Sequence, residues 1–329
     1  MNRDSPLISV IVPNYNHEKF LRQRLDSIFN QTYVNFEVIL LDDCSIDNSR
    51  EILIQYAQND KVSHCVFNKI NTGNTFVQWN RGIALAKGEF IWIAESDDFC
   101  NLNFLEVVSK PLIQNKEVVL SYCQSNKVDI NGQIIGNWKT YSDDLDIVQF
   151  KNDFLLDGNL FIEKYLIYKN VVPNASAVLL KRENLKICPE LIEDKGLKYC
   201  GDWVIYFQQI INQQISFIAE SINNFRDHSD SVIATASIFE SKISIIDIDI
   251  DMRKLMMRNL KLITVINSSA IIKKNRKIIK INKYDKGLLL FNSRQRWKAI
   301  FILLSIADEF VKRYPFRKRF AKKAKKIFT

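Results

Sequence analysis

The chain has 329 residues, room for one large domain with an appendage or for two smaller ones. Hydrophobic residues make up 47% and charged residues 25%, which excludes wholesale disorder; 9 glycines and 6 prolines exclude collagen-like and low-complexity architectures. The net charge of +9 is unevenly placed: residues 1–252 carry 23 basic against 34 acidic side chains, whereas residues 253–329 carry 23 against 3. An acidic body with a strongly basic C-terminal region suits an anionic partner or simple solubility.

The opening Met1-Asn2-Arg3-Asp4-Ser5-Pro6 runs straight into a strand-like segment without a signal peptide's apolar stretch. No apolar run approaches the ~20 residues of a membrane-spanning helix. A cytoplasmic location is the expectation, and six dispersed cysteines without Cys-x-x-Cys spacing read as reduced thiols.

In chain order, Leu7 to Val12 is an apolar, β-branched run expected as a buried strand, and Leu21, Leu25 and Ile28 then recur at helical spacing. Val38 to Leu41 predicts a second strand, and Asp47-Asn48-Ser49 a helix start. Phe76, Trp79, Ile83 and Ala86 fall on one helix face ahead of a strand from Phe90 to Ala94. This alternation predicts an α/β fold with a mostly parallel central sheet flanked by helices. Further strands are expected at Val118–Tyr122, Ala177–Leu180 and Ile215–Ala219, with a helix after Gly201. From about residue 239 the pattern is helical and increasingly basic. Phe316, Phe320, Ala324 and Ile327 then share a face among lysines and arginines, as in a helix that lies on anionic lipid or packs on its own domain. The region matches no nucleic-acid motif, so no nucleic-acid partner is expected.

Ligands gather beyond the carboxyl ends of parallel strands, and two strands here end in adjacent acids, Asp42-Asp43 and Asp97-Asp98. Each pair alone could be a helix cap or a solvated turn. Together they suit Mg²⁺ or Mn²⁺ bridging to phosphate. The first glycine is Gly73, so neither of the first two strands opens into a glycine-rich phosphate loop.

The segments Ser9-Val10-Ile11-Val12-Pro13-Asn14-Tyr15-Asn16, Ser27 to Tyr33, Val38 to Asp47 and Asn71-Thr72-Gly73-Asn74 through Glu89 resemble, in order and spacing, family 2 glycosyltransferases. Ala94-Glu95-Ser96-Asp97-Asp98 resembles that family's metal-binding acid motif. The resemblance implies a GT-A catalytic domain over 1–238, with a nucleotide-binding half (1–105) and an acceptor half (106–238), followed by a helical basic tail (239–329). It implies that Pro13 and Tyr15 border the nucleobase; a packing role alone is the alternative for both. Asp43 would accept from the base, Asn80 would join the nucleotide site, Asp97 would approach the ribose or a metal-bound water, and Asp98 would hold Mn²⁺ or Mg²⁺. Trp79 stands where many relatives carry arginine, and Cys44 where glycine is frequent.

Tyr199-Cys200-Gly201-Asp202-Trp203 is similar to the Glu-Asp-Trp-type segment that supplies the catalytic base, with Gly201 in place of the first acid. That assigns the base to Asp202, although an aspartate in a helix's first turn also serves the dipole. Phe225-Arg226-Asp227-His228-Ser229 resembles the family's Arg-x-His segment, which places Arg226 near phosphate and His228 at the metal or diphosphate. The implied activity is inverting transfer from a nucleoside-diphosphate sugar, UDP-linked by expectation, to a glycan or lipid-linked acceptor in surface-polysaccharide synthesis, peripheral to the inner membrane face. A catalytically inactive membrane-docked scaffold and a nucleotidyltransferase are the competing readings.

Overall fold

The computed structural model describes residues 5–183, 185–193, 197, 199–228, 241–262 and 268–314. Strand and helix alternate through the first part of the chain: β1 (Ile8–Asn14), α1 (Glu18–Phe29), β2 (Phe36–Asp42), α2 (Ser49–Tyr56), β3 (Val62–Phe67), α3 (Thr75–Leu85) and β4 (Phe90–Ile93). Every residue of β1 and β2 is buried, as continuous apolar runs require in a sheet covered on both faces. Alternation then sorts the side chains. Ile8, Val10 and Val12 join Leu21, Leu25 and Ile28 of α1 on one face, while Ile11 meets Phe76 and Trp79 of α3 on the other.

The remaining elements of the sheet domain are β5 (Phe99–Cys100), α4 (Phe104–Gln114), β6 (Val118–Val128), β7 (Ile134–Asn137), β8 (Phe154–Asp157), α5 (Gly158–Phe161), β9 (Val178–Lys181), α6 (Pro189–Glu193), α7 (Gly201–Gln209) and β10 (Gln214–Arg226). They form one 10-stranded sheet in the order β3-β2-β1-β4-β9-β6-β10-β5, with β7 on β6 and β8 on β10. From β3 to β4 all pairing is parallel, with Asn14 of β1 level with Asp42 of β2. Beyond β4 the sheet is mixed, because β9 runs antiparallel to both of its neighbours. The expected parallel character therefore belongs to the first half, where helical crossovers connect the strands.

Strands β6 and β10 run well past their predicted apolar stretches. Polar residues carry the extension: Asn126 donates to Asn224 at 3.1 Å and Asn223 to Ser125 at 3.0 Å, across bulged parallel pairing. This brings Arg226, at the end of β10, beneath the acid turn that follows β4.

The C-terminal helices are α8 (Lys242–Leu262), α9 (Ser268–Asn292), α10 (Arg296–Leu304) and α11 (Ala307–Arg313). Met252, Leu255 and Met256 of α8 pack into the core shared by α3 and α7. Buried Arg253 donates to the Ile167 carbonyl at 2.7 Å and lies 5.4 Å from the Trp203 ring, bracing α7 from behind. Among the described residues, no helix is long and apolar enough to cross a membrane. The expected amphipathic segment 316–329 lies outside the described residues. All six cysteines are free thiols.

Candidate active site

The ends of β1, β2 and β4 open onto a cavity of about 500 Å³ lined by Pro13, Tyr15, Asp43, Gln78, Glu95 and Tyr199, among others. That size suits a small-molecule ligand. Tyr15 is 41% exposed at its rim. The loop after β2 turns through Cys44 at φ +65°, a left-handed conformation that explains the frequency of glycine at the matching position.

Asp43 lies in this cavity already well supplied with donors. Its carboxylate accepts from Asn68 at 2.6 Å, the Thr72 hydroxyl at 2.8 Å, the Thr72 amide at 3.1 Å and Gln78 at 2.9 Å. A nucleobase N–H must displace one of these to reach it. Gln78 was not anticipated; the helix turns it inward, whereas Asn80 projects to solvent and does not line the cavity. The periodicity of α3 thus brings Gln78, and not Asn80, into the cavity.

The acid turn separates its residues onto two sides. Asp97 faces outward, with Oδ2 3.1 Å from Nε2 of His228. His17, just ahead of α1, completes a group whose ligating atoms all lie within 4.8 Å of one another. His17 Nδ1 is also 2.8 Å from the Ser96 hydroxyl. Asp98 instead points inward and is buried, its Oδ1 accepting the Arg226 amide at 2.9 Å. Among the described residues, Asp97, His17 and His228 hold the donor atoms that converge, and Asp98, on which the metal expectation was placed, lies outside that group.

Arg226 lies under the same turn. Its guanidinium donates to the carbonyls of Asp97 (2.7 Å), Asp129 (2.9 Å) and Ile130 (3.0 Å) and to the side chain of Gln23 (2.6 Å). The Phe20 ring lies 4.6 Å from its carbon. With its donors so engaged and its side chain buried, Arg226 clamps the acid turn. A second buried arginine, Arg24, donates to the Glu95 carbonyl at 2.8 Å and supplies positive charge to Glu95 and Asp98 from below.

The local electrostatics follow from these placements. Burial alone would raise the Asp97 carboxyl, but the hydrogen bond to His228 and the charge of His17 prevail and hold it low. Burial and the neighbouring Asp97 charge push Asp98 up. Burial and the same charge lift Glu95 to about 8, against the bond donated by Trp79 Nε1 at 2.9 Å. Where many relatives carry arginine, this chain therefore uses an indole N–H to hold the first acid of the turn.

Asp202 sits in the first turn of α7. Asn170 donates to its Oδ2 at 3.0 Å and the Trp203 amide to its Oδ1 at 2.8 Å, while burial raises its pKa to about 6. Tyr206, one turn along α7, feels the charges of both Asp202 and Glu95, so the two acids share one neighbourhood. The adjacent Gly201 is packed tightly: a Cβ there would lie 2.4 Å from the Phe76 ring. This contact gives a physical reason for glycine in place of the family's first acid. Gly201→Ala is expected to cost roughly 1–3 kcal/mol, measured by denaturant unfolding, because Phe76 must shift within a packed core.

His17, Gln78 and Asn170 escaped sequence reasoning, and Glu95 was named only as part of the acid motif. Only His17 carried a usable signal, since two of the chain's three histidines meet at this site.

A half-parallel sheet whose strand ends meet a cavity, an acid turn and a second carboxylate on a facing helix defines a GT-A transferase. The family model for glycosyl transferase family 2 matches residues 9–163. The chain is 34% identical over 235 residues to an uncharacterized glycosyltransferase of Haemophilus influenzae, covering 71% of this chain and 88% of that protein. It is 29% identical over 261 residues to glycosyltransferase GlyG of Streptococcus pneumoniae, covering 73% and 80%. The crystal structure of S. aureus TarS 1–349 in complex with UDP-GlcNAc shares the fold, with a TM-score of 0.61 and 18% identity over 89% of this chain and 79% of that one. The chain belongs to the family 2 glycosyltransferases.

Proposed function

We propose that this chain moves a sugar, with inversion, from a nucleoside-diphosphate donor to an acceptor hydroxyl of a glycan or lipid-linked glycan in cell-surface polysaccharide synthesis. The observation that carries this reading is the convergence of Asp97, His17 and His228 beside a nucleotide-sized cavity, with Asp202 in the same neighbourhood as Glu95, which lines it. UDP is the preferred donor nucleotide: Asp43 and Gln78 offer an acceptor and an amide to the edge of a uracil, with Tyr15 at the rim to cover its face.

The donor set fits a divalent cation. Two imidazole nitrogens and one carboxylate are softer than the all-oxygen shell that Mg²⁺ demands, so Mn²⁺ suits the group better. When bound there, the ion supplies positive charge to the departing diphosphate.

The protein's own part is positional and acid–base. Asp202 takes the proton of the acceptor hydroxyl as its oxygen bonds to the anomeric carbon. The bond from that carbon to the diphosphate oxygen breaks with its electron pair on the leaving group, on the opposite face. Asn170 and the Trp203 amide keep the Asp202 carboxylate ionised and aimed, despite its burial.

The test is incubation with UDP- and GDP-sugars, with Mn²⁺, Mg²⁺ or EDTA, scored for nucleoside diphosphate release and product anomer. Release of pyrophosphate when a nucleoside triphosphate and sugar 1-phosphates are offered in place of the nucleotide sugars would instead mark a nucleotidyltransferase, and silence across both panels an inactive scaffold. A base must be ionised to act, so kcat/KM is expected to fall about tenfold per pH unit below an apparent pKa near 6. Asn170→Ala removes a donor that favours the ionised form, so the acid limb of that profile should move to higher pH.

A further inference from the structure

The short helix α10 is apolar on both sides. Its inner side is used: Ala299 is fully buried and Leu303 closes on Gly287 of α9, where an added Cβ would lie 2.6 Å from the leucine methyl. Its outer side carries Trp297 at 77% exposure, Phe301 at 72% and Leu304 at 67%, with Ile300 beside them. Spacings of three and four residues bring these onto one face. Arg296 and Lys298 alternate with the apolar positions and, by the same helical geometry, flank that face on either side; both are exposed. Exposed Arg294 lies just before the helix, and the Arg296 guanidinium is 5.8 Å from the half-exposed Phe291 ring. A helix this apolar all round needs a second apolar medium on its outer side.

We propose that the outer face of α10 docks on an anionic lipid surface, inserting Trp297, Phe301 and Leu304 at the headgroup–acyl boundary while Arg296 and Lys298 meet the headgroups. Charge selects this occupant. A second copy of the chain would bring the same basic region against itself, 23 basic to 3 acidic residues on each side. The chain's own residues 315–329, which hold seven lysines and arginines and no acid, would likewise set like charge against Arg294, Arg296 and Lys298. Anionic lipid answers both demands at once, apolar acyl chains for the stripe and negative headgroups for its rims. Trp297 is the kind of amphipathic ring that settles at such a boundary.

The test uses the full chain, Trp297→Phe as a fluorescence reference, and the triple variant Trp297→Ser/Phe301→Ser/Leu304→Ser. All three side chains are largely exposed, so an unchanged circular-dichroism melt serves as the folding control. On vesicles of mixed phosphatidylglycerol and phosphatidylcholine, the expected result is co-sedimentation with a blue-shifted Trp297 emission. The triple variant should bind at least about tenfold more weakly, and vesicles of phosphatidylcholine alone should bind poorly. Equal binding by the triple variant would show that charge alone attracts the vesicles and would overturn the proposal. So would a Trp297 emission already blue-shifted without lipid, which means that protein covers the face, or a dimer that the triple variant dissolves to monomer.

Discussion

Asp202→Asn is expected to lower turnover by ~10²–10⁴-fold while nucleotide-sugar affinity stays within a few-fold of wild type. The amide keeps the shape of the carboxylate and can still accept the Trp203 N–H, but it has no basic oxygen to receive the acceptor proton. Two measurements are needed together. Steady-state transfer reports the loss, and calorimetric titration of the donor reports whether the nucleotide cavity survived. Undiminished transfer removes Asp202 from the chemistry. Lost donor binding shows instead that α7 shapes the cavity, an outcome for which the tight Gly201–Phe76 contact offers a ready cause.

The second large effect separates two adjacent aspartates. Asp97→Asn is expected to weaken Mn²⁺-dependent donor binding by more than about 100-fold, because it removes the one carboxylate among the converging donor atoms. Asp98→Asn should leave Mn²⁺-dependent binding close to wild type. Its carboxylate is turned inward to the Arg226 amide, and the neutral amide oxygen can still accept that bond. Titrations of the donor with and without EDTA distinguish the pair. Should Asp98→Asn abolish binding while Asp97→Asn spares it, the donor set drawn from the geometry is wrong.

Much of the first hundred residues was legible because the physics there is local. Continuous apolar runs at Leu7–Val12, Val38–Leu41 and Phe90–Ala94 read as strands buried on both faces, and the acids that follow the last two lie at one end of a parallel sheet. Strand β3 was missed because it is an edge strand with half-exposed positions, which dilutes the apolar signal of Val62–Phe67. The polar ends of β6 and β10 were missed for a related reason, since asparagine pairs rather than apolar side chains hold them together. Within the site, the motif identified the acid turn but not the orientation of each acid. Which of Asp97 and Asp98 faces outward depends on β10 arriving from more than a hundred residues away. Arg226 illustrates the same limit: its sequence neighbourhood suits an anion, whereas the fold consumes its donors on backbone carbonyls.

Helix α3 acts as a shared ruler for the acid turn and helix α7. One of its turns presents Trp79 to Glu95, which opens the acid turn, and the same turn presents Phe76 to Gly201, beside Asp202. Positions 76 and 201 are consequently locked as a size-matched pair. An acid grafted at 201 alone collides with the ring, while a small side chain at 76 makes the room it needs. Evolution or design that seeks to restore a second carboxylate next to Asp202 must therefore change both positions together.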